Sequence, residues 1–237
     1  DGLMAVLPAE DADFTMRFYN ADGSLGEMCG NGARCICRYG YETGLSGACP
    51  RVRTTAGLVT GERISAEQYR VRLPDPTVLQ PERVLAVGGR EIRCAYVELG
   101  EPGLPHLTVE LPELAETTDD GLRALARALR YHAALPKGAN VNFYTLTGKD
   151  AVLLKTYERG VEDFTCACGT GTGAVVSVLT LAGRVSGRAV RVKMRGGVLT
   201  MDVTAQGGAA RDLFLTGPAR LVARGEVFEE ELLNNDE

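Results

Sequence analysis

A four-residue signature, Cys-Gly-x-Gly, occurs twice in the chain, as Cys29-Gly30-Asn31-Gly32 and as Cys168-Gly169-Thr170-Gly171. Each copy opens a stretch with helical character. The first runs from about Asn31 to Thr43 and stops at Gly44, with Ala33, Ile36, Cys37 and Tyr39 as its apolar positions. The second carries Ala174, Val175, Val178, Leu179, Leu181 and Ala182, and Gly183 is placed to end it. It is apolar on nearly every side, and such a helix is buried all round. The two copies lie about one small domain apart. The repeat therefore predicts two similar halves, each a sheet packed on a central helix, with Pro74-Asp75-Pro76 as the linker.

Most of the remaining sequence reads as short strands joined by tight turns. Val84–Val87 and Ile92–Leu99 flank Gly88-Gly89, Val141–Leu146 and Val152–Tyr157 flank Gly148-Lys149-Asp150, and Val190–Met194 and Val198–Val203 flank Gly196-Gly197. Phe214-Leu215 and Leu221-Val222 around Gly217-Pro218 read as a further hairpin. Hairpins pair antiparallel, which argues against a doubly wound parallel sheet. A third helix is predicted where Leu122, Leu125, Ala126 and Leu129 keep helical spacing after a polar start at Thr117 to Asp120. The expected fold class is α/β of the α+β kind, with mostly antiparallel or mixed sheets.

The bulk numbers exclude several function classes. A net charge of −5 gives no electrostatic footprint for nucleic acid or an anionic membrane. No apolar run approaches a membrane span. Hydrophobic residues make up 45% and charged residues 24%, enough apolar material for a real core. Seven cysteines, an odd number in tight clusters, fit reduced thiols and a cytoplasmic setting better than a disulfide framework. The chain opens at Asp1 and shows no signal peptide.

Glycines feeding a helix bring chemistry with them. The unpaired N–H groups and partial positive charge of a helix N-terminus cradle a carboxylate, and glycine lets it come close. A cysteine there has its thiolate stabilised. Two such sites facing each other would put a thiol on each side of one trapped carboxylate, which suits inversion at an α-carbon. Other readings stand beside this one. Cys29, Cys35, Cys37, Cys166 and Cys168 could ligate zinc in an interaction module, although only one cluster comes near the usual spacing. Gly169 to Gly173 lacks the remainder of a nucleotide loop. Cys35, Cys37, Cys49, Cys94 and Cys166 read as small packing residues. A Cys29–Cys168 disulfide would be an inactivating oxidation.

Tyr19 to Ser24 with Met28 to Cys35 resembles the first catalytic motif of the diaminopimelate epimerases, and Tyr157 to Gly160 with Ala167 to Gly171 resembles the second. Ala139 to Phe143 and Leu215 to Ala219 are similar to two further family motifs, in the family's order. The resemblance implies a fold of pseudo-symmetric halves, the N-terminal one formed by 1–76 plus 215–237 and lacking its first strands, the C-terminal one by 77–214. It implies neither cofactor nor metal, and an amino acid as the small-molecule substrate. Cys29 and Cys168 would be the acid–base pair. Gly30, Asn31, Gly169 and Thr170 would hold the reacting carboxylate, and Glu158 the ammonium. Asn20, Asn140 and Arg159 would read the far end of the substrate, with His106 in support. The reading leaves room for a homodimer.

Two departures from the family pattern bear on this. A further N-terminal stretch precedes Asp1 in the family, and without it the first sheet would expose an edge. The family's Gly-Asn-Pro-His is replaced by Gly100-Glu101-Pro102-Gly103-Leu104-Pro105-His106. The missing asparagine contact, worth about 1–3 kcal/mol if its partner were left unpaired, could move specificity. Epimerisation of LL- to meso-diaminopimelate is the expectation. Racemisation of another amino acid, such as histidine, by the same two-cysteine core is the alternative.

Overall fold

The computed structural model describes residues 2–20, 22–26, 30–55 and 57–226. Strands β1 (Gly2–Leu7) and β2 (Phe14–Asn20) precede α1 (Gly30–Glu42). Then come β3 (Arg51–Thr54), β4 (Gly57–Arg63), β5 (Gln68–Arg72), β6 (Pro76–Val87), β7 (Arg90–Leu99) and β8 (Leu104–Glu110). Helix α2 (Asp119–Arg130) leads to β9 (Asn140–Gly148), β10 (Ala151–Glu158) and the short β11 (Asp163–Phe164). Helix α3 (Gly169–Leu181) leads to β12 (Val190–Met194), β13 (Gly197–Gln206) and β14 (Ala209–Pro218).

Most pairings are antiparallel, as the hairpin signals require. The exceptions among the described residues are β2 with β3, β8 with β9 and β10 with β12. Parallel neighbours need a crossover, and each of these pairs brackets one of the three helices. The strands run in the order β1-β2-β3-β4-β5-β14-β13-β12-β10-β9-β8-β7-β6, with β11 beside β10. Strand β14 is the hinge of this order: it pairs with β13 and with β5.

Helix α3 is the axis of the later strands, which curl round it from β6 to β14. Its residues from Gly169 to Ser177 are all buried. Helix α1 packs against β4, β5 and β14, and helix α2 lies on the opposite face of β9 and β10. Thr118 caps α2 by accepting from Gly121 N, and Asp119 and Asp120 complement its dipole. With α3 on one face and α2 on the other, Asn140 to Tyr144 in β9 are buried without interruption.

Three expectations need correction. Gly217-Pro218 does not turn the chain back: β14 continues through Pro218 along β5, Ala219 N donates to Glu67 O, and Val222 is 94% exposed. The hairpin lies earlier, at Gly207-Gly208, whose φ values of +58° and +77° suit a tight turn. Tyr39 is exposed, because it falls off the face carrying Ala33, Ile36, Cys37 and Gly40. Of the cysteines read as packing residues, Cys37 and Cys94 are buried, and burial pushes their thiols up to about 12 and about 11. Cys35, Cys49 and Cys166 are exposed, on the outer side of α1 and in turns.

Candidate active site

The first turns of α1 and α3 meet. A β-carbon on Gly169 would stand 3.5 Å from Gly30 Cα, an ordinary packing distance, but 2.7 Å from Leu215 Cδ2, so it is the leucine beneath the two helix starts that requires glycine there. The side chain of Asn31 ties them together, with Nδ2 donating to Ala167 O at 3.1 Å. Buried Arg34 holds Asn31 in turn, donating from Nη2 to its Oδ1 at 3.0 Å and from Nη1 to Gly30 O at 3.4 Å.

Cys168 is the N-cap of α3, with extended backbone at φ −127° and ψ 109°. Its Sγ accepts from Gly171 N at 3.3 Å and lies 3.6 Å from Thr170 Oγ1. A backbone N–H directed at sulfur at a helix N-terminus favours the thiolate over the thiol. The cap residue's own carbonyl takes the Thr172 N–H and hydroxyl, which completes the turn. Cys29 lies outside the described residues. Its neighbour Gly30 is buried at the meeting point of the helices.

Beneath α3 the inward faces of β8, β9 and β10 carry polar side chains. His106 on β8 neighbours Asn140 on β9, and Asn142 neighbours Thr156 on β10. Glu158 ends β10, two residues beyond Thr156 on the same face. Burial raises its carboxyl above the ordinary range, with the Thr165 hydroxyl opposing the shift. Among the described residues no cation is paired with this half-buried carboxylate, which makes it a receptive partner for an ammonium group. Asn140 Oδ1 accepts from Arg159 N at 2.8 Å, and Arg159 Nη1 reaches Lys137 O at 3.4 Å. His106 is wholly buried; desolvation, with the charge of Arg159, lowers it to about 3 and keeps the ring neutral. Leu104 begins β8 two residues before His106, on the same face.

The structure thus brings Gly30, Asn31, Cys168, Gly169 and Thr170 to one place, where the helices meet. Asn140, Arg159 and His106 cluster beside it at the ends of β8 to β10, and Glu158 ends β10 there. Asn20 is exposed at the end of β2, its amide donating to Ser24 Oγ. Among the described residues, no three His, Cys, Asp or Glu side chains converge as metal ligands do. Also among the described residues, no helix is long and apolar enough to cross a membrane. Sequence reasoning gave no role to Arg34, Asn142 or Thr156. A polar residue between Val141 and Phe143 in an apolar strand was the available signal for Asn142.

Comparison with known proteins places this geometry among relatives. A family model described as diaminopimelate epimerase matches residues 1–75 and 100–222. The chain is 37% identical over 237 residues to the diaminopimelate epimerase of Aquifex aeolicus, covering 98% of this chain and 81% of that protein. It is 36% identical to the diaminopimelate epimerase of Archaeoglobus fulgidus, covering 89% of this chain and 78% of that one. Among solved structures, a protein of proline-racemase type from Agrobacterium radiobacter K84 superposes with a TM-score of 0.71 at 17% identity, over 97% of this chain and 77% of that one. A member of the phenazine biosynthesis PhzF family from Enterococcus faecalis gives 0.64 at 16% identity, over 96% and 82%. These two likenesses establish a shared fold.

Proposed function

The chain belongs to the diaminopimelate epimerase family, and from that premise we propose that it interconverts LL- and meso-diaminopimelate, with Cys29 and Cys168 as the two bases. The observation that carries this reading is the contact between the two glycine-led helix starts, with Cys168 capping one of them. Cys29 immediately precedes the other in sequence.

The chemistry follows from that meeting point. The two helix starts approach each other at Gly30 and Gly169, and there the positive ends of both helices hold a carboxylate by backbone N–H groups and helix dipoles. Asn31 and Thr170 flank it with polar side chains. Glu158 takes the reacting ammonium, whose positive charge opposes the upward shift that burial gives its carboxyl. One thiolate removes the α-hydrogen as a proton; its electron pair stays on the α-carbon and spreads onto the carboxylate. Hydrogen bonds already in place stabilise that growing charge. The opposite thiol delivers its proton to the other face, and the two sulfurs exchange protonation states. Asn140 and Arg159 read the distal end, while Leu104 gives that end an apolar wall beside His106.

Racemisation of a shorter amino acid is the second reading, and the apolar Leu104 is the feature that favours it. Incubation with LL-diaminopimelate in deuterated water, alongside a panel of free L-amino acids, separates the two. The expected result is deuterium at the α-carbon of diaminopimelate, abolished by either Cys29→Ala or Cys168→Ala. Turnover that survives in one of those variants removes that cysteine from the mechanism. Deuterium in a different amino acid, with none in diaminopimelate, selects the second reading.

A further inference from the structure

One buried amide joins three parts of the site. Asn142 Nδ2 donates to Leu107 O at 2.9 Å, and a carbonyl can only accept, so the orientation of the amide is fixed. Two acceptors remain for the second hydrogen of Nδ2, His106 Nδ1 at 3.2 Å and the Asn140 carbonyl at 3.4 Å; the nearer ring nitrogen takes it and is the acceptor. The neutral imidazole therefore carries its proton on Nε2. That Nε2 is buried and has no hydrogen-bond partner among the described residues. On the other side of the amide, Oδ1 accepts from Thr156 Oγ1 at 2.9 Å. The same Oδ1 lies 2.2 Å from where a β-carbon on Gly171 would stand. Gly171 in turn donates its N–H to Cys168 Sγ.

We propose that Asn142 is a positioning residue for the reaction: its single amide sets which nitrogen of His106 is the donor and seats the turn of α3 that presents Cys168. This rests on the two-cysteine reading above for the reaction, and on geometry alone for the ring and the turn. Thr156 is the brace. Its hydroxyl donates to the amide oxygen and holds it beside the turn of α3, while the Leu107 carbonyl fixes which end of the amide faces the imidazole.

The chain contains two histidines, His106 and His132, so nitrogen-15 spectra of histidine-labelled protein resolve each ring. Wild type is expected to show His106 protonated at Nε2. In Asn142→Asp an acceptor replaces the donor, and the proton moves to Nδ1. That variant is also expected to lose about 100-fold in kcat with KM for diaminopimelate held within about three-fold, the signature of misplaced reacting groups. Alkylation of Cys168 by iodoacetamide, read by peptide mass, slows in the same variant, because a carboxylate under the first turn disfavours a thiolate. Thr156→Val, a milder change, is expected to lower kcat while leaving the wild-type tautomer. Nδ1 protonation in the wild type overturns the proposal even if no variant folds, and so does an Asn142→Asp enzyme with wild-type kcat. If wild type fails to turn over diaminopimelate, the functional reading falls, and the tautomer and alkylation rate still decide whether Asn142 sets the ring and the thiol.

Discussion

His106 shows how a single buried side chain ties stability to pH. The fold lowers it from 6.5 to about 3, chiefly by desolvation. Below 6.5 the unfolded chain takes up a proton that the folded chain refuses. Its contribution is therefore complete above pH 6.5 and is lost as pH falls toward 3, at a rate approaching about 1.4 kcal/mol per pH unit. Asp11, Asp22, Glu110, Asp150, Glu162 and Asp163 are also lowered and act in the same direction, but only near and below their ordinary values around 4. Glu158, raised by burial, acts oppositely. Because Glu158 contributes equally to both proteins, the difference between wild type and a His106 variant from pH 7 to pH 5 isolates the histidine. Urea unfolding of wild type and His106→Gln across that interval is expected to give a steeper loss in wild type. Parallel losses would mean that the ring titrates freely in the fold.

The N-terminal turn of α3 sets the geometry around Cys168, and its sequence leaves little freedom. A β-carbon on Gly171 would meet Asn142 Oδ1 at 2.2 Å and Cys168 Sγ at 3.2 Å. The amide cannot retreat, because both of its ends are hydrogen-bonded. Gly171→Ala is therefore expected to cost about 1–3 kcal/mol of overpacking, and to lower kcat by well over ten-fold as the turn lifts away. Thermal melts and steady-state kinetics check both effects, and an alanine variant with wild-type values would show that the turn has slack. This turn was legible in the sequence because its signals are local: a cysteine, alternating glycines and an apolar helix in one run. The hairpins at Gly88-Gly89 and Gly196-Gly197 were legible for the same reason. Asn142, Thr156 and Arg34 were not, because their roles depend on the register of β8, β9 and β10 and on the meeting of two helices distant in sequence. Gly217-Pro218 misled because a turn dipeptide can also end a strand whose neighbour still pairs with it.

Across the whole molecule, α1 and α3 are held together by a shared core rather than by a linker. Phe14, Ile36 and Val71 belong to the same apolar cluster as Val175, Val192 and Met201. Leu215 sits at the centre of this arrangement. It lies on β14, between β5 and β13, and is wholly buried. Its Cδ2 comes within 3.4 Å of a β-carbon built on Gly30 and 2.7 Å of one built on Gly169. The same side chain thus supports both helix starts at the site. Truncation to alanine removes apolar contacts and leaves a cavity the strands on either side cannot close, at a cost of about 2–5 kcal/mol. Because the cavity opens against both helices, the loss is shared between them. Hydrogen exchange read by mass spectrometry on peptides from α1 and α3 is expected to show both losing protection together in Leu215→Ala. Loss confined to α3, with α1 as protected as in wild type, would show that the two helices unfold independently and that the shared core does not couple them.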